Sequence, residues 1–179
     1  DSQRRHWHGV GGILLGLGNL LCKLYLTVIR GTPSTVQLLI MYFIIFGSSQ
    51  NMMAAAIISF GVNSGAYVAE IVRSGIMSIP KGQMEAGRSL GLNYATTMRC
   101  IIIPQAIKNI LPALGNELIT LLKETSICTV IGLMDLTKGA MIVQSRTYAP
   151  WVPYLSIAII YLVIVLILTK LLGILERRL

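Results

Sequence analysis

The chain has 179 residues, 54% of them hydrophobic and only 12% charged, and 15 Lys and Arg against 7 Asp and Glu give a net charge of +8. That balance excludes an ordinary soluble domain and points to an integral membrane protein. The basic residues stand at the ends of apolar runs and are not interleaved with aromatics along a polar face. The charge therefore speaks for membrane orientation and against nucleic acid.

Residues 1–12 lack the successive charged, apolar and small-residue regions of a cleavable signal. His6 and His8 flank Trp7 with no acidic or cysteine partner nearby, which argues against a metal site there. Residues 13–30 are apolar and helical in pattern, but Lys23 interrupts them and they run into Arg30, so spanning and interfacial placements both stay open. Thr32 followed by Pro33 is a helix-start signal, and a span is expected from Pro33 to Phe46. Further spans are expected at Met53–Val72, Ile107–Leu133 and Tyr154–Leu172, since a helix needs ~20 predominantly apolar residues to cross the hydrocarbon. The expected fold is thus an all-α integral membrane protein of four to five spans: a helical lead-in over 1–32 and a transmembrane body over 33–179.

Gly61 and Gly65 form a small-xxx-small step that reads equally well as packing within the chain or between subunits. Cys22, Cys100 and Cys128 have no metal-like spacing and are expected as small buried hydrophobes.

Between two of the spans lies a polar segment, 78–106, punctuated like two short helices. Pro80 suits the first helical position of one, where its missing N–H costs nothing. Gly91 suits that helix's left-handed end, and Asn93 the cap of a second helix, Tyr94–Ile103, expected to stop at Pro104. Arg73, Lys81, Arg88, Arg99 and Lys108 border this segment, while 47–52 carries no charge. The excess of positive charge places the segment, Arg30 and the C-terminal Lys170, Arg177 and Arg178 in the cytoplasm, with 134–153 as an external loop.

Polar residues inside spans are the second signal, because a charge at the helix centre costs ~2.5–3.5 kcal/mol on insertion scales. Asn63, Asn116, Glu117, Lys123 and Glu124 are candidates for a translocation path, with interhelical pairing the equal alternative. Glu70 and Arg73, three apart on one helical face, predict a local ion pair. No hydrolase elbow, metal-ligand helix or phosphate-cradling Gly-x-x-x-x-Gly-Lys-Ser/Thr loop occurs, so any ATP-driven work must be done by another polypeptide.

Glu85-Ala86-Gly87, Gly91, Ile101 and Ile103-Pro104 together resemble the EAA loop of membrane subunits of bacterial ABC importers. Gly87 stands where that pattern has a second Ala, and Ile103 where it has Leu. Arg30-Gly31-Thr32-Pro33, Ala66-Tyr67-Val68-Ala69-Glu70-Ile71, Gly82-Gln83, Pro104-Gln105-Ala106 and Lys123-Glu124-Thr125-Ser126 are similar to segments of permeases for polar amino acids. The resemblance runs from about residue 20 to the C-terminus; residues 1–12 depart from it, so the N-terminus is expected to be truncated or diverged.

The resemblance implies a type I ABC-importer transmembrane domain in the bacterial cytoplasmic membrane, importing a polar amino acid. It implies ATPase coupling through Glu85, Ala86, Gly87, Gly91, Ile101, Ile103 and Pro104, with Met84, Leu90, Tyr94 and Met98 as apolar anchors. It further implies no cofactor on this chain, ATP and Mg on separate ATP-binding subunits, a sister permease or second copy, and an external solute-binding protein. Another small solute (an opine, a sulfur amino acid or a peptide) is the near alternative; an ATPase-independent channel or secondary transporter is the distant one.

Overall fold

The computed structural model describes residues 10–49 and 51–177. His6, Trp7, His8 and Arg178 lie outside the described residues. Among the described residues eight α-helices follow in chain order: α1 (Val10–Gly31), α2 (Ser34–Ile40), α3 (Met52–Met77), α4 (Lys81–Ser89), α5 (Tyr94–Thr97), α6 (Ile103–Glu124), α7 (Leu136–Thr147) and α8 (Trp151–Glu176). Wide π turns continue α2 over Met41–Ile45 and join α5 to α6 over Met98–Ile102, and a 3₁₀ segment extends α6 over Thr125–Ile131.

By length and composition, Ile13–Gly31, α3 and α8 can each cross a membrane, and Tyr94–Ile131 taken together with α7, bent by 50° between them, passes the same test as a broken span or a re-entrant loop. The 13–30 stretch is therefore long and apolar enough to span, and its second half runs alongside α3 in the same direction. Tyr25 Oη donates to the Val62 carbonyl at 2.6 Å, and one turn further on Arg30 pairs with Glu70 at 3.5 Å. Gly65 leaves the room that Tyr25 occupies, since a Cβ there would stand 3.1 Å from the phenolic oxygen; Gly61 meets nothing within 4 Å.

The expected Pro33–Phe46 span is a shorter element. α2 and its π turn have 7 and 5 residues, roughly 18 Å at ~1.5 Å per residue, well short of the ~30 Å hydrocarbon. The chain turns back over 46–49, and α2 returns antiparallel to α3, with Gln37 against Asn63 and Leu38 packed with Ala56 and Phe60. Pro33 is the N-cap of α2, not its first residue: with ψ at 138° it is extended, and its carbonyl accepts from Val36 and Gln37. Thr32 instead closes α1, its hydroxyl donating to the Val28 carbonyl at 2.9 Å.

The apolar core joins α2, α3 and the 3₁₀ segment through Leu38, Ala56, Phe60, Cys128 and Ile131. Towards the other end α3 and α6 pack antiparallel at very close range: a Cβ on Gly75 would stand 2.3 Å from Ile110 Cγ1. Gly115 gives the same intimacy between α6 and α8, 2.2 Å from Leu172 Cδ1. Most of α8 is exposed, as suits an apolar helix facing lipid. Cys128 is buried as expected, but Cys22 and Cys100 are exposed. Residues 134–153 are mostly the 12-residue α7 rather than a loop, capped by Asp135, whose Oδ1 accepts from Lys138 N at 2.7 Å.

Candidate functional site

The 78–106 segment is a closed helical hairpin, and local chemistry builds it. Pro80 is extended, with ψ at 136°, and serves as N-cap; α4 begins one residue later than the sequence suggests. α4 ends in a full Schellman motif: Gly91 has φ +81°, its N–H reaches the Arg88 carbonyl at 3.0 Å, and Leu92 N–H reaches Gly87 O at 3.1 Å. Asn93 caps α5 as expected, its side chain accepting from Thr96 N at 2.8 Å.

The second helix does not stop at Pro104. The chain widens into π geometry over Met98–Ile102, and Pro104 then falls in the opening turn of α6, where a missing N–H is tolerated. The Gln105 side chain donates to the Ile101 carbonyl at 2.9 Å, satisfying it from outside the backbone ladder.

The inner face of the hairpin is tightly packed. Gly87 is buried against Thr97, which is 0% exposed, and against Ile101, whose Cδ1 a Cβ on Gly87 would approach to 3.3 Å. The base is tied to α6: Asn109 donates to Ser78 Oγ at 2.8 Å, and Gln105 reaches Gln83 at 3.5 Å. The outer face is bare. Glu85 and Ala86 are exposed, Leu90 is 80% exposed and Tyr94 63%, while Met84 and Met98 are half-buried. Glu85 is the fifth residue of α4, beyond the first turn to which dipole stabilisation is confined, so a capping role does not account for it. Ile103 and Pro104 are exposed and belong to the start of α6; the buried neighbour is Ile102.

Of the polar span residues, Asn63 is buried and donates to Gln37 Oε1 at 3.0 Å. Gln37 in turn donates to the Ile29 carbonyl at 2.7 Å and to Thr32 Oγ1 at 2.7 Å, so this network holds the α1–α2 turn to α3. Asn116, Glu117, Lys123 and Glu124 share α6 at a seven-residue repeat, two helical turns apart on one side. Glu117 is half-buried and accepts from Ser64 at 3.4 Å; Glu124 is half-buried. Asn116 and Lys123 are exposed, with Thr120 between them and Asn109 below, a polar stripe that this chain leaves uncovered.

Sequence spacing showed the Glu70–Arg73 pair, which is present as a two-point contact. It missed Arg30, which joins Glu70 and lies 5.6 Å from the Tyr67 ring centroid. The signal was available: the two most distinctive short segments each carried one half of a complementary charge pair. It also missed Thr97, although a glycine where the loop pattern has alanine signals a bulkier neighbour opposite. Among the described residues no group of His, Cys, Asp and Glu could hold a metal ion.

Residues 10–179 match the family of binding-protein-dependent transport system inner membrane components. The chain belongs to that family. It is 43% identical over 183 residues to the arginine transport system permease protein ArtQ of Bacillus subtilis, covering 94% of this chain and 84% of that one. It is 36% identical over 184 residues to the glutamine transport system permease protein GlnP of Escherichia coli, with the same shares of 94% and 84%. A chain from the crystal structure of an amino acid ABC transporter with histidines superposes with a TM-score of 0.84 at 53% identity, covering 89% of this chain and 76% of that one. An inward-facing MetNI methionine ABC transporter chain, 19% identical, gives a TM-score of 0.69 over 98% of this chain and 80% of its own, which carries the fold alone. The chain is thus a multi-pass membrane transport component with the type I importer fold, and it is not an enzyme.

Proposed function

We propose that this chain is the permease subunit of an ATP-driven importer for a polar amino acid in the bacterial cytoplasmic membrane. Relatives named for arginine and glutamine support the substrate class. The observation that carries the mechanism is the 78–106 hairpin: its inner face is packed by this chain, whereas Glu85, Leu90 and Tyr94 point outward from a base fixed to α3 and α6. Such an element suits a groove on an ATP-binding subunit, with apolar anchors at helical spacing and one charge for register. ATP and Mg belong to that subunit, which drives the two transmembrane arrangements by moving the hairpin and hence α3 and α6 together.

A second copy or sister permease would cover the Asn116–Lys123 stripe, making Asn116, Glu117, Lys123 and Glu124 the path, while Asn63 holds its wall from behind. A solute-binding protein would deliver cargo on the α7 side, leaving the hairpin and C-terminus cytoplasmic. The test is uptake by proteoliposomes holding this chain with its ATP-binding and solute-binding partners. ATP-dependent uptake should vanish when 82–92 is replaced by a flexible linker. Undiminished uptake by that variant would refute the coupling assignment.

A further inference from the structure

A groove of about 460 Å³ opens between α1 and α3, lined by Lys23, Leu26, Thr27, Arg30, Gly31 and Glu70. Lys23, Thr27 and Arg30 follow at i, i+4 and i+7, so they lie on one line along α1. Glu70 is shared between Arg30 at 3.5 Å and Arg73, so one carboxylate faces three cations, Lys23 included, and the groove keeps an excess of positive charge. Among the described residues Lys23 has no acidic partner. Yet it stands on an apolar helix whose neighbouring Leu20, Leu21 and Leu24 are all exposed. The Lys23 stem can extend along α1 towards the Arg30 end, where lipid headgroups lie, and an unpaired ammonium there needs a counter-charge.

We infer that this groove holds the phosphate of an anionic phospholipid. The Lys23 ammonium and the donors of Arg30 not facing Glu70 bind the phosphate oxygens, the Thr27 hydroxyl donates a further hydrogen bond, and an acyl chain lies along Leu20 and Leu24. The exposed leucines argue for a lipid over a free phosphate, since a free anion would gain nothing from them. The inference does not depend on which solute is carried.

Native mass spectrometry of the purified complex containing the full chain, equilibrated with phosphatidylglycerol or phosphatidylcholine vesicles, tests it. One phosphatidylglycerol per copy should be retained in preference to phosphatidylcholine, and inorganic phosphate should not displace it. Lys23→Gln should weaken retention about fivefold, the factor one basic residue contributes at an anionic membrane surface. Lys23→Arg should restore it, and Lys170→Gln, on α8, should leave it unchanged. Equal retention of the two lipids, a Lys23→Gln complex indistinguishable from the parent, or displacement by phosphate would each overturn the assignment.

Discussion

Gly87 and Thr97 interlock: a Cβ built on Gly87 would lie 2.5 Å from Thr97 Cγ2 and 2.9 Å from Thr97 Oγ1, and Thr97 is itself wholly buried. The threonine cannot swing away without giving up the bond its hydroxyl donates to the Asn93 carbonyl at 2.9 Å. The glycine that departs from the loop pattern is thus matched by the side chain opposite it, and the pair sets how closely α4 lies on α5.

Gly87→Ala should therefore overpack the hairpin by about 1–3 kcal/mol. The expected outcome is a lower thermal midpoint of the purified complex together with reduced uptake. Gly87→Ala combined with Thr97→Ala should recover most of both. A double variant no better than Gly87→Ala alone would show that the two residues do not share the defect.

Gly91 turns the chain between α4 and α5 at φ +81°, with open space around its α-carbon. Any loss on Gly91→Ala is then conformational, about 1–2 kcal/mol for a left-handed residue bearing a Cβ. Gly91→Asn should cost less, because asparagine tolerates that region better. Hydrogen exchange of the Leu92 amide, bonded to Gly87 O, should rise in the order Gly91, Asn, Ala.

Much of this was legible in the chain itself, for reasons that differ by element. Long uncharged runs mark α3 and α8 because lipid demands them, and Gly91 and Asn93 mark helix ends through chemistry local to a few residues. Residues 33–46 misled because an apolar run with a good start does not reveal that the chain doubles back at 46–49 to pack on α3. Pro104 misled because the π turn before it absorbs what would otherwise break a helix. The pairs Arg30–Glu70 and Gln37–Asn63 join distant segments, and no periodicity within either segment encodes its partner.

The Gln37–Asn63 bond makes opposite predictions for architecture and for transport. Gln37→Leu leaves the buried Asn63 amide without its acceptor, which should cost about 1–3 kcal/mol. Gln37→Leu with Asn63→Leu should recover part of that loss, since removing both partners strands neither. If Asn63 only supports the wall, the KM for the transported amino acid is unchanged in both variants while the thermal midpoint falls in the single one. A raised KM at undiminished stability would instead put Asn63 in contact with cargo.

Glu85 makes no side-chain hydrogen bond or ion pair among the described residues and is exposed on α4. Glu85→Gln should accordingly leave the stability of the isolated permease within the ±0.5 kcal/mol usual for surface changes. Its effect should fall on the ATP-binding subunit, where a lost charge-assisted bond of about 1.5–3 kcal/mol weakens association by roughly 10- to 150-fold. Pull-down of that subunit, titrated by concentration, reads the difference. Unaltered association at every concentration would remove Glu85 from the interface.

Asn116 and Leu118 stand about 200° apart around α6, and both are exposed, Leu118 at 62%. On the proposed path Asn116 faces water and Leu118 faces lipid. In a background without Cys22, Cys100 and Cys128, a charged methanethiosulfonate should modify Asn116→Cys at least about tenfold faster than Leu118→Cys, because thiolate chemistry needs water that a lipid-facing thiol lacks. Adding the transported amino acid should slow the reaction at 116 alone. Equal rates at the two positions would mean that the Asn116–Lys123 stripe faces lipid. The charge on Lys123, seven residues on, would then stand in hydrocarbon at a cost of ~2.5–3.5 kcal/mol with nothing to offset it.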